Sequence, residues 1–537
     1  MRSESTSYFP ASYLRPWQRS PVTEHRQINP WLIAVSVMFA TFMEVLDTTV
    51  VNVSLPHIAG SLSVTIDEAT WVLTSYLVAN AIILPMTGWL ASMFGRKRLL
   101  MLSVVGFTLS SFLCGLAPTL ALLIVFRILQ GATGGALQPL SQAVLLEAFP
   151  PQDRGKAMGF WGLGIVVAPI LGPVLGGWLT DSYSWRWVFY INIPVGIASI
   201  VMTKLFIFDP PYLRAESRKI DYWGIGMLAV GIGALQIVLD KGQEEDWFGS
   251  SMITTLAVVS VVTLGVLIVH ELATENPVVD LRIFKARSYA VGVFLMTVVG
   301  FVLYGSLVLL PIMLQTLLGY PSLQAGIAMA PRGIGSFFMM PITGLMTGRF
   351  DPRKLLASGL IVGGTTLLWL SQLNLQAGYW DIFWPQLVQG VGMSLLFVPL
   401  TTVAMAPIPR ERMGNATSLF NLMRNIGGSI GIAVTGTMLA RNQQAVTAVL
   451  GANVTPYDAA SQAMLAQVRG AMMAAGADAV TAQSRAYATV FGLVVRQATM
   501  VAFVGIFQLL GIVFIALVPL VLIMQRPKRG ASMTGGH

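Results

Sequence analysis

Stretches long and apolar enough to cross a bilayer recur along nearly the whole chain, from Pro30 to Met524. No other feature narrows the fold so far. A spanning helix needs about 20 predominantly apolar residues, and the runs place fourteen of them. They fall near 31–55, 70–91, 99–117, 120–148, 157–180, 187–207, 222–240, 251–271, 289–317, 323–347, 355–373, 380–406, 415–440 and 498–524. Of the 537 residues, 55% are hydrophobic and only 11% are charged, against roughly 25% charged in an ordinary soluble protein. A soluble surface could not be covered with so few charges. A soluble enzyme, a secreted disulfide scaffold and a disordered regulator are therefore excluded. The expected fold is an all-α polytopic membrane protein.

Charge placement then orients the spans. With fourteen spans both termini lie on one side. Of the 33 lysines and arginines, 24 fall in the loops of that side, among them Arg96, Lys97, Arg98, Arg154, Arg282, Arg349 and Arg410. Six fall on the other side: Arg186, Lys241, Arg441, Arg469, Arg485 and Arg496. By the positive-inside rule the basic side is expected to be cytoplasmic. No short apolar segment with a small-residue cleavage site precedes the first span, so no cleaved signal peptide is expected. The lone cysteine, Cys114, sits in an apolar run and reads as a buried, inert thiol. The four histidines have no ligand spacing, so no metal site is expected. The basic residues form small clusters between apolar runs, which argues against a nucleic-acid partner.

An internal repeat sets the domain plan. PMTGWLASMFGRKRLL at 85–100 corresponds to PITGLMTGRFDPRKLL at 341–356, an offset of about 256. Gln130, Gly131, Gly155, Ala157 and Gly172 correspond to Gln389, Gly390, Gly414, Ala416 and Gly431, an offset of about 259. Two copies of one unit would give this pattern, as in many transporters. The expected organisation is six spans, two inserted spans and six more. That gives a tail (1–30), an N-terminal six-helix bundle (31–207), an inserted helix pair with a flanking loop (208–275), a C-terminal six-helix bundle (276–524) and a cytoplasmic tail (525–537). The C-terminal bundle includes the only large loop on the non-cytoplasmic side, 441–497.

Five motifs carry a resemblance. They are LDTTVVNVSLP (46–56), GWLASMFGRKR (88–98), RILQGATGG (127–135), GIVVAPILGPVLGG (164–177) and WRWVFYINIPVG (185–196). In this order, on spans one, two to three, four, five and six, they resemble the fourteen-span drug/proton antiporter family of the major facilitator superfamily, and its EmrB-type pumps in particular. The resemblance implies a major facilitator fold with 14 transmembrane helices (6 + 2 inserted + 6). It also implies proton-coupled export of lipophilic drugs across a bacterial inner membrane by alternating access. The same fold could instead serve one dedicated metabolite, siderophore or lipid. The family's loop motif has an acid where this chain has Ser92.

Charges inside spans are costly, about 2.5–3.5 kcal/mol each on insertion scales, so they are functional candidates. Glu44 and Asp47 in span one are three residues apart and share a helix face; Arg127 lies well inside span four. The arginine can keep one carboxylate ionised while the other takes and releases a proton, so these three are the proton-coupling candidates. The resemblance supports Asp47 and Arg127; Glu44 lies outside the motif. A purely structural ion pair between the two spans is the alternative. The repeat places Gln386 opposite Arg127, so the charge is not duplicated. Polar residues within spans, Asn52, Gln130, Arg332, Asn421 and Arg424, are candidate substrate contacts, although an arginine near a span end can also snorkel. Gly88, Gly95, Arg96 and Lys97 form a candidate gating loop. Gly164, Ala168, Gly172 and Gly176 recur every four residues, a small-residue stripe suited to close helix approach, with Pro169 and Pro173 able to kink the helix.

No cofactor is expected: Gly427–Gly431 spells G-x-S-x-G but inside an apolar helix, and no phosphate-binding loop occurs. The energy source would be the proton gradient, and no nucleophile–base constellation points to an enzyme. In the outside loop, Thr455 to Asp458 reads as a helix start. Met464, Val468 and Met472 then form an apolar stripe. It is a candidate docking surface for a periplasmic adaptor (a membrane fusion protein), itself linked to an outer-membrane channel, or a helix lying back on the transporter or the membrane.

Overall fold

A computed structural model describes residues 29–209, 220–455 and 457–525. Most of the tail at 1–30, residues 526–537, Pro456 and the basic Arg214, Arg218 and Lys219 lie outside the described residues. Among the described residues the regular structure is helical. A bilayer core offers no water to hydrogen-bond the backbone, so spans must satisfy their amides internally.

The first six long helices are α1 (Pro30–Leu62), α2 (Ile66–Phe94), α3 (Arg96–Leu116), α4 (Leu120–Ala148, broken at 135–136), α5 (Arg154–Ser182) and α6 (Trp187–Phe206). Two more, α7 (Tyr222–Lys241) and α8 (Ser251–Ala273), pack on each other. Then come α9 (Arg287–Leu317), α10 (Ser322–Arg349), α11 (Pro352–Leu370), α12 (Tyr379–Met405), α13 (Met413–Ala452), the short α14 (Ala459–Ala474) and α15 (Ala479–Val521). Eleven of these helices are long and apolar enough to cross a membrane. The other three expected spans are less apolar: α10 and α13 carry Arg332, Arg424 and several glycines and threonines, and α11 begins with Pro352, Arg353 and Lys354.

Local chemistry fixes the helix ends. Thr65 and Glu68 form a reciprocal capping box at the start of α2. Gly95 turns the chain between α2 and α3 at φ +83°, where a side chain would be strained and would meet the Asp209 carboxylate. The segment 441–497 differs from the expected loop. It is mostly helix, because α13 runs on to Ala452 and α15 begins at Ala479. The helix between them starts not at Thr455 but at Ala459, capped by Asp458, whose carboxylate accepts from the Ser461 amide (2.9 Å) and hydroxyl (2.7 Å). The Ser461 hydroxyl and amide hold the Asp458 carboxyl below its usual range.

The repeat reappears as geometry. A Cβ on Gly88 of α2 would lie 2.6 Å from the backbone of Asn415 and 2.9 Å from that of Gly414, on α13. A Cβ on Gly344 of α10 would lie 2.7 Å from the Gly155 carbonyl and 3.0 Å from Lys156 Cα, on α5. Gly344 is the repeat partner of Gly88, and Gly155 that of Gly414. The two halves therefore meet at two equivalent backbone crossings, both at the end that carries the basic loops. Hydrogen bonds between the halves, among the described residues, run from Arg96–Arg410 at that end to Arg424–Gln138, and no further. Towards the other end α7 lies between α2 and α13. Lys241 donates to Thr70 (2.5 Å) and Thr74 bonds Asp240 on one side; Gln236 bonds Ser429 (3.0 Å) and Trp247 bonds Thr437 (3.0 Å) on the other. The halves touch at the basic end and diverge away from it.

A methyl group at Gly88 faces backbone, which cannot swing aside. Gly88→Ala is expected to cost this arrangement about 1–3 kcal/mol, roughly a five- to 150-fold shift in population. Spin labels on Arg98 and Glu411, both exposed at the basic end, will report it as a longer distance distribution by double electron–electron resonance.

Candidate functional site

Besides Arg96 and Arg154 at the basic end and Lys241 and Glu271 of the inserted pair, the buried charges fall into three groups. The first lies wholly within the N-terminal half. Asp47 of α1 is fully buried, and its carboxylate receives Arg127 Nη1 (2.6 Å), Gln130 Nε2 (2.9 Å) and Asn192 Nδ2 (2.7 Å). Arg127 also donates from Nε to the Val72 carbonyl (3.0 Å), and its guanidinium lies 4.1 Å from the centre of the Tyr76 ring. Asn192 belongs to the motif that opens α6 and is further held by Ser111 (3.0 Å). Asp47 is thus a saturated carboxylate and Arg127 its counter-ion. Neither faces the other half.

Glu44 sits one turn away in different surroundings. It is buried, but only Oε1 has a partner, the Asn80 amide at 3.1 Å; Oε2 has none. Sharing a helix face did not give the two carboxyls one environment. Glu44 lies within electrostatic reach of Arg424, which comes from the other half.

The second group forms the seam between the halves. Thr417 donates to the Pro139 carbonyl (2.9 Å), Asn421 to Gln142 (2.7 Å) and Arg424 to Gln138. These α13 residues are spaced by about one turn, so they line one face opposite the second segment of α4. Arg424 Nε has no partner. Arg424 and Asn421 are both buried, so neither sits at a membrane edge where snorkelling would apply.

The third group lies within the C-terminal half. Arg332 of α10 donates from Nε to Gln386 (2.9 Å) and from Nη2 to Gln389 (2.7 Å), both on α12. All three are buried. Asn52 is on an exposed face of α1, apart from every group.

The candidate gating loop is tied mostly to its own half. Lys97 N donates to Asp209 (2.8 Å), Lys97 Nζ donates to the Lys204 carbonyl (2.9 Å), and Arg96 pairs with Glu147 at the end of α4 while reaching the Arg410 carbonyl (3.3 Å) of the other half. Ser92 returns its hydroxyl to its own helix at Trp89 (2.7 Å). The acids that serve this loop are therefore Glu147 and Asp209, which no motif flags.

The small-residue stripe of α5 packs against α1 of the same half. Gly164 lies against Met38, Gly172 against Thr49 and Gly176 against Val50. α5 continues through Pro169 and Pro173. The contacts of α5 with the other half use Gly155, Gly159 and Gly162 instead, against Gly344 and Met340. Sequence reasoning missed Tyr76, Asn80, Gln138, Gln142 and Asn192. Each is a polar or aromatic residue in an apolar run, a signal too common in spans to single them out.

Removing one partner of a buried ion pair leaves an uncompensated charge, at about 3–5 kcal/mol. Asp47→Asn is expected to lower the melting temperature of the purified protein sharply, and adding Arg127→Gln to recover much of the loss. Glu44→Gln, which removes no paired charge, is expected to change it little.

Comparisons with known proteins bear on the fold and the family. A family model described as Major Facilitator Superfamily matches residues 37–432. The chain is 38% identical over 507 residues to "Multidrug export protein EmrB" of Escherichia coli K12, covering 94% of this chain and 97% of the relative. It is 38% identical over 506 residues to "Fatty acid resistance protein FarB" of Neisseria gonorrhoeae, with the same coverage. Among solved structures, the human organic anion transporter MFSD10 superposes with a TM-score of 0.57 at 12% identity, covering 91% of this chain and 100% of that one. That likeness speaks to the fold alone.

Proposed function

The chain belongs to the major facilitator superfamily as an EmrB-like transporter, and on that footing we propose that it exports lipophilic toxic compounds, working as a proton-coupled multidrug efflux pump by alternating access. The inner membrane is its site, with the basic end and both termini cytoplasmic. The halves then touch on the cytoplasmic side and part on the outer side, a conformation open to the outside. Rocking of one half against the other would exchange it for the inward-open form.

One observation carries the coupling reading. Glu44 is a buried carboxyl with an unpartnered oxygen, beside the seam, within reach of a cation of the opposite half. A proton can be taken up there without breaking the Asp47–Arg127 pair. In the ionised form Glu44 attracts Arg424 and favours the closed seam; in the protonated form that attraction is lost and the seam can open. Asp47, Arg127 and Gln130 then serve as a fixed charge arrangement that positions α1 on α4. Arg424 and Asn421 act at the seam, and Arg332 is left for the substrate. The motif glycines and Arg96 and Lys97 hold the cytoplasmic closure.

The relative named for multidrug export and the one named for fatty acid resistance are equally similar. The second reading, a dedicated exporter of one lipid-like metabolite, takes its support from the latter. A periplasmic adaptor is the partner that best fits segment 441–497. The ends of α13 and α15 with α14 enclose a groove of about 280 Å³ lined by Val454, Leu465, Tyr487, Val490, Phe491 and Val494. Tyr487 and Phe491 remain exposed. Met464 of the expected stripe is exposed, while Val468 and Met472 are half-buried.

In proteoliposomes with an imposed pH gradient, Glu44→Gln is expected to lose most of its ethidium efflux while still exchanging ethidium down its own gradient. Gradient-driven efflux at the unsubstituted rate would sink the role of Glu44 and return the proton to Asp47.

A further inference from the structure

The two halves bury the same donors and supply different acceptors. A Cβ on Gly131 would strike the Tyr76 carbonyl, and a Cβ on its repeat partner Gly390 would strike the Arg332 carbonyl. Tyr76 and Arg332 are thus equivalent positions, as are Arg127 and Gln386, and Gln130 and Gln389. In the N-terminal half the guanidinium comes from α4 and stacks on a tyrosine of α2. In the C-terminal half it comes from α10, the counterpart of α2, and reaches two glutamines on α12.

The N-terminal half also shows what such a donor set holds. Arg127 Nη1 and Gln130 Nε2 both donate to the two oxygens of one carboxylate, Asp47. In the C-terminal half Arg332 Nη1 and Gln389 Nε2 are both buried and have no acceptor. Arg332 uses its other nitrogens on glutamine oxygens, which leave its charge uncompensated. No aspartate or glutamate occurs within α9, α10, α11, α13 or α15, and the only one in α12, Asp381, is in its first turn. The counterpart of Asp47 at the 256 offset is Leu303. A buried guanidinium and a buried amide N–H in one cluster ask for an anion, and the planar fork of arginine suits a carboxylate.

The position lies beyond the contact between the halves. α10 meets α5 at Met340 and Gly344. Arg332 lies eight residues beyond Met340, about 12 Å along the helix at 1.5 Å per residue, on the side where the halves diverge. It is 8% exposed, whereas Gln386 and Gln389 are 0% exposed.

We propose that Arg332 and Gln389 form a binding site for the carboxylate of an amphipathic monoanion, whose apolar part lies in the space between the halves. This rests on the reading of the chain as an exporter and deepens it to a substrate class. It also assigns the two halves different tasks: the carboxylate is built into the N-terminal half and brought by the substrate to the C-terminal half.

The test compares decanoate with decyltrimethylammonium, which share a tail and differ in head-group charge. Both are titrated against the full-length protein in lipid nanodiscs. For Arg332→Gln the ratio of decanoate affinity to decyltrimethylammonium affinity is expected to fall about ten- to hundredfold, the range of a charge-assisted hydrogen bond. Arg332→Lys should recover part of that ratio and Gln389→Leu should lower it. An unchanged ratio in Arg332→Gln overturns the proposal. So does an equal loss of both affinities, because it assigns the arginine to packing α10 on α12. Ethidium efflux by the unsubstituted protein decides the exporter reading separately: its absence removes that reading, whereas efflux with an unchanged ratio removes only the site.

Discussion

Two pairs of helices cross so closely that their backbones nearly touch, and this decides the shape of the molecule. Gly88 against Gly414 and Gly344 against Gly155 put α2 on α13 and α10 on α5 without an intervening side chain. Glycine is required at 88, 155 and 344 because the Cβ of any other residue would meet main chain rather than a flexible side chain. Both crossings lie at the basic end, so the halves are pinned there and free to separate elsewhere. The seam of Thr417, Asn421 and Arg424 continues the contact inwards by about two turns. Beyond it α7 takes up the widening space, bonded to α2 on one face and α13 on the other.

Charge is distributed within this frame by the same physical rule in each half: a buried ion keeps its place only where its hydrogen bonds are met. Asp47 meets the rule and Arg127 meets it at every nitrogen but Nη2, through five hydrogen bonds that link α1, α2, α4 and α6. Glu44 meets it in part, with one oxygen bonded to Asn80 and the other without a partner. Arg332 meets it with neutral acceptors only. In the proposed scheme the three circumstances correspond to three tasks: holding, switching and binding.

Much of this was legible in the residues. Apolar periodicity gave the spans, the offsets of 256 and 259 gave the repeat, and the cost of burying charge pointed to Glu44, Asp47, Arg127, Arg332 and Arg424. The stripe on α5 was legible as a close-packing face, but not as one that faces α1. A four-residue period says that something comes near without saying what. Segment 441–497 was legible as a loop carrying one helix, but not as a place where α13 and α15 extend past the spans, because its alanine-rich, weakly polar stretches lack the apolar signal of a span and yet have high helix propensity. Glu147 and Asp209, which serve the basic loop, lie 51 and 112 residues from Arg96 and Lys97 and could not be matched to them in one dimension.

The sequence by itself determined a multi-pass membrane protein, its family and five of its buried charges, Glu44, Asp47, Arg127, Arg332 and Arg424. Each of these follows from solvation, which acts on residues one at a time or along one helix. Only the tertiary structure decided which charges are paired. Glu44 and Asp47 are neighbours on one helix face, yet one is saturated within its own half and the other is left half-bonded at the seam. The angle between helices, set by the glycine crossings, determines which side chains can reach them.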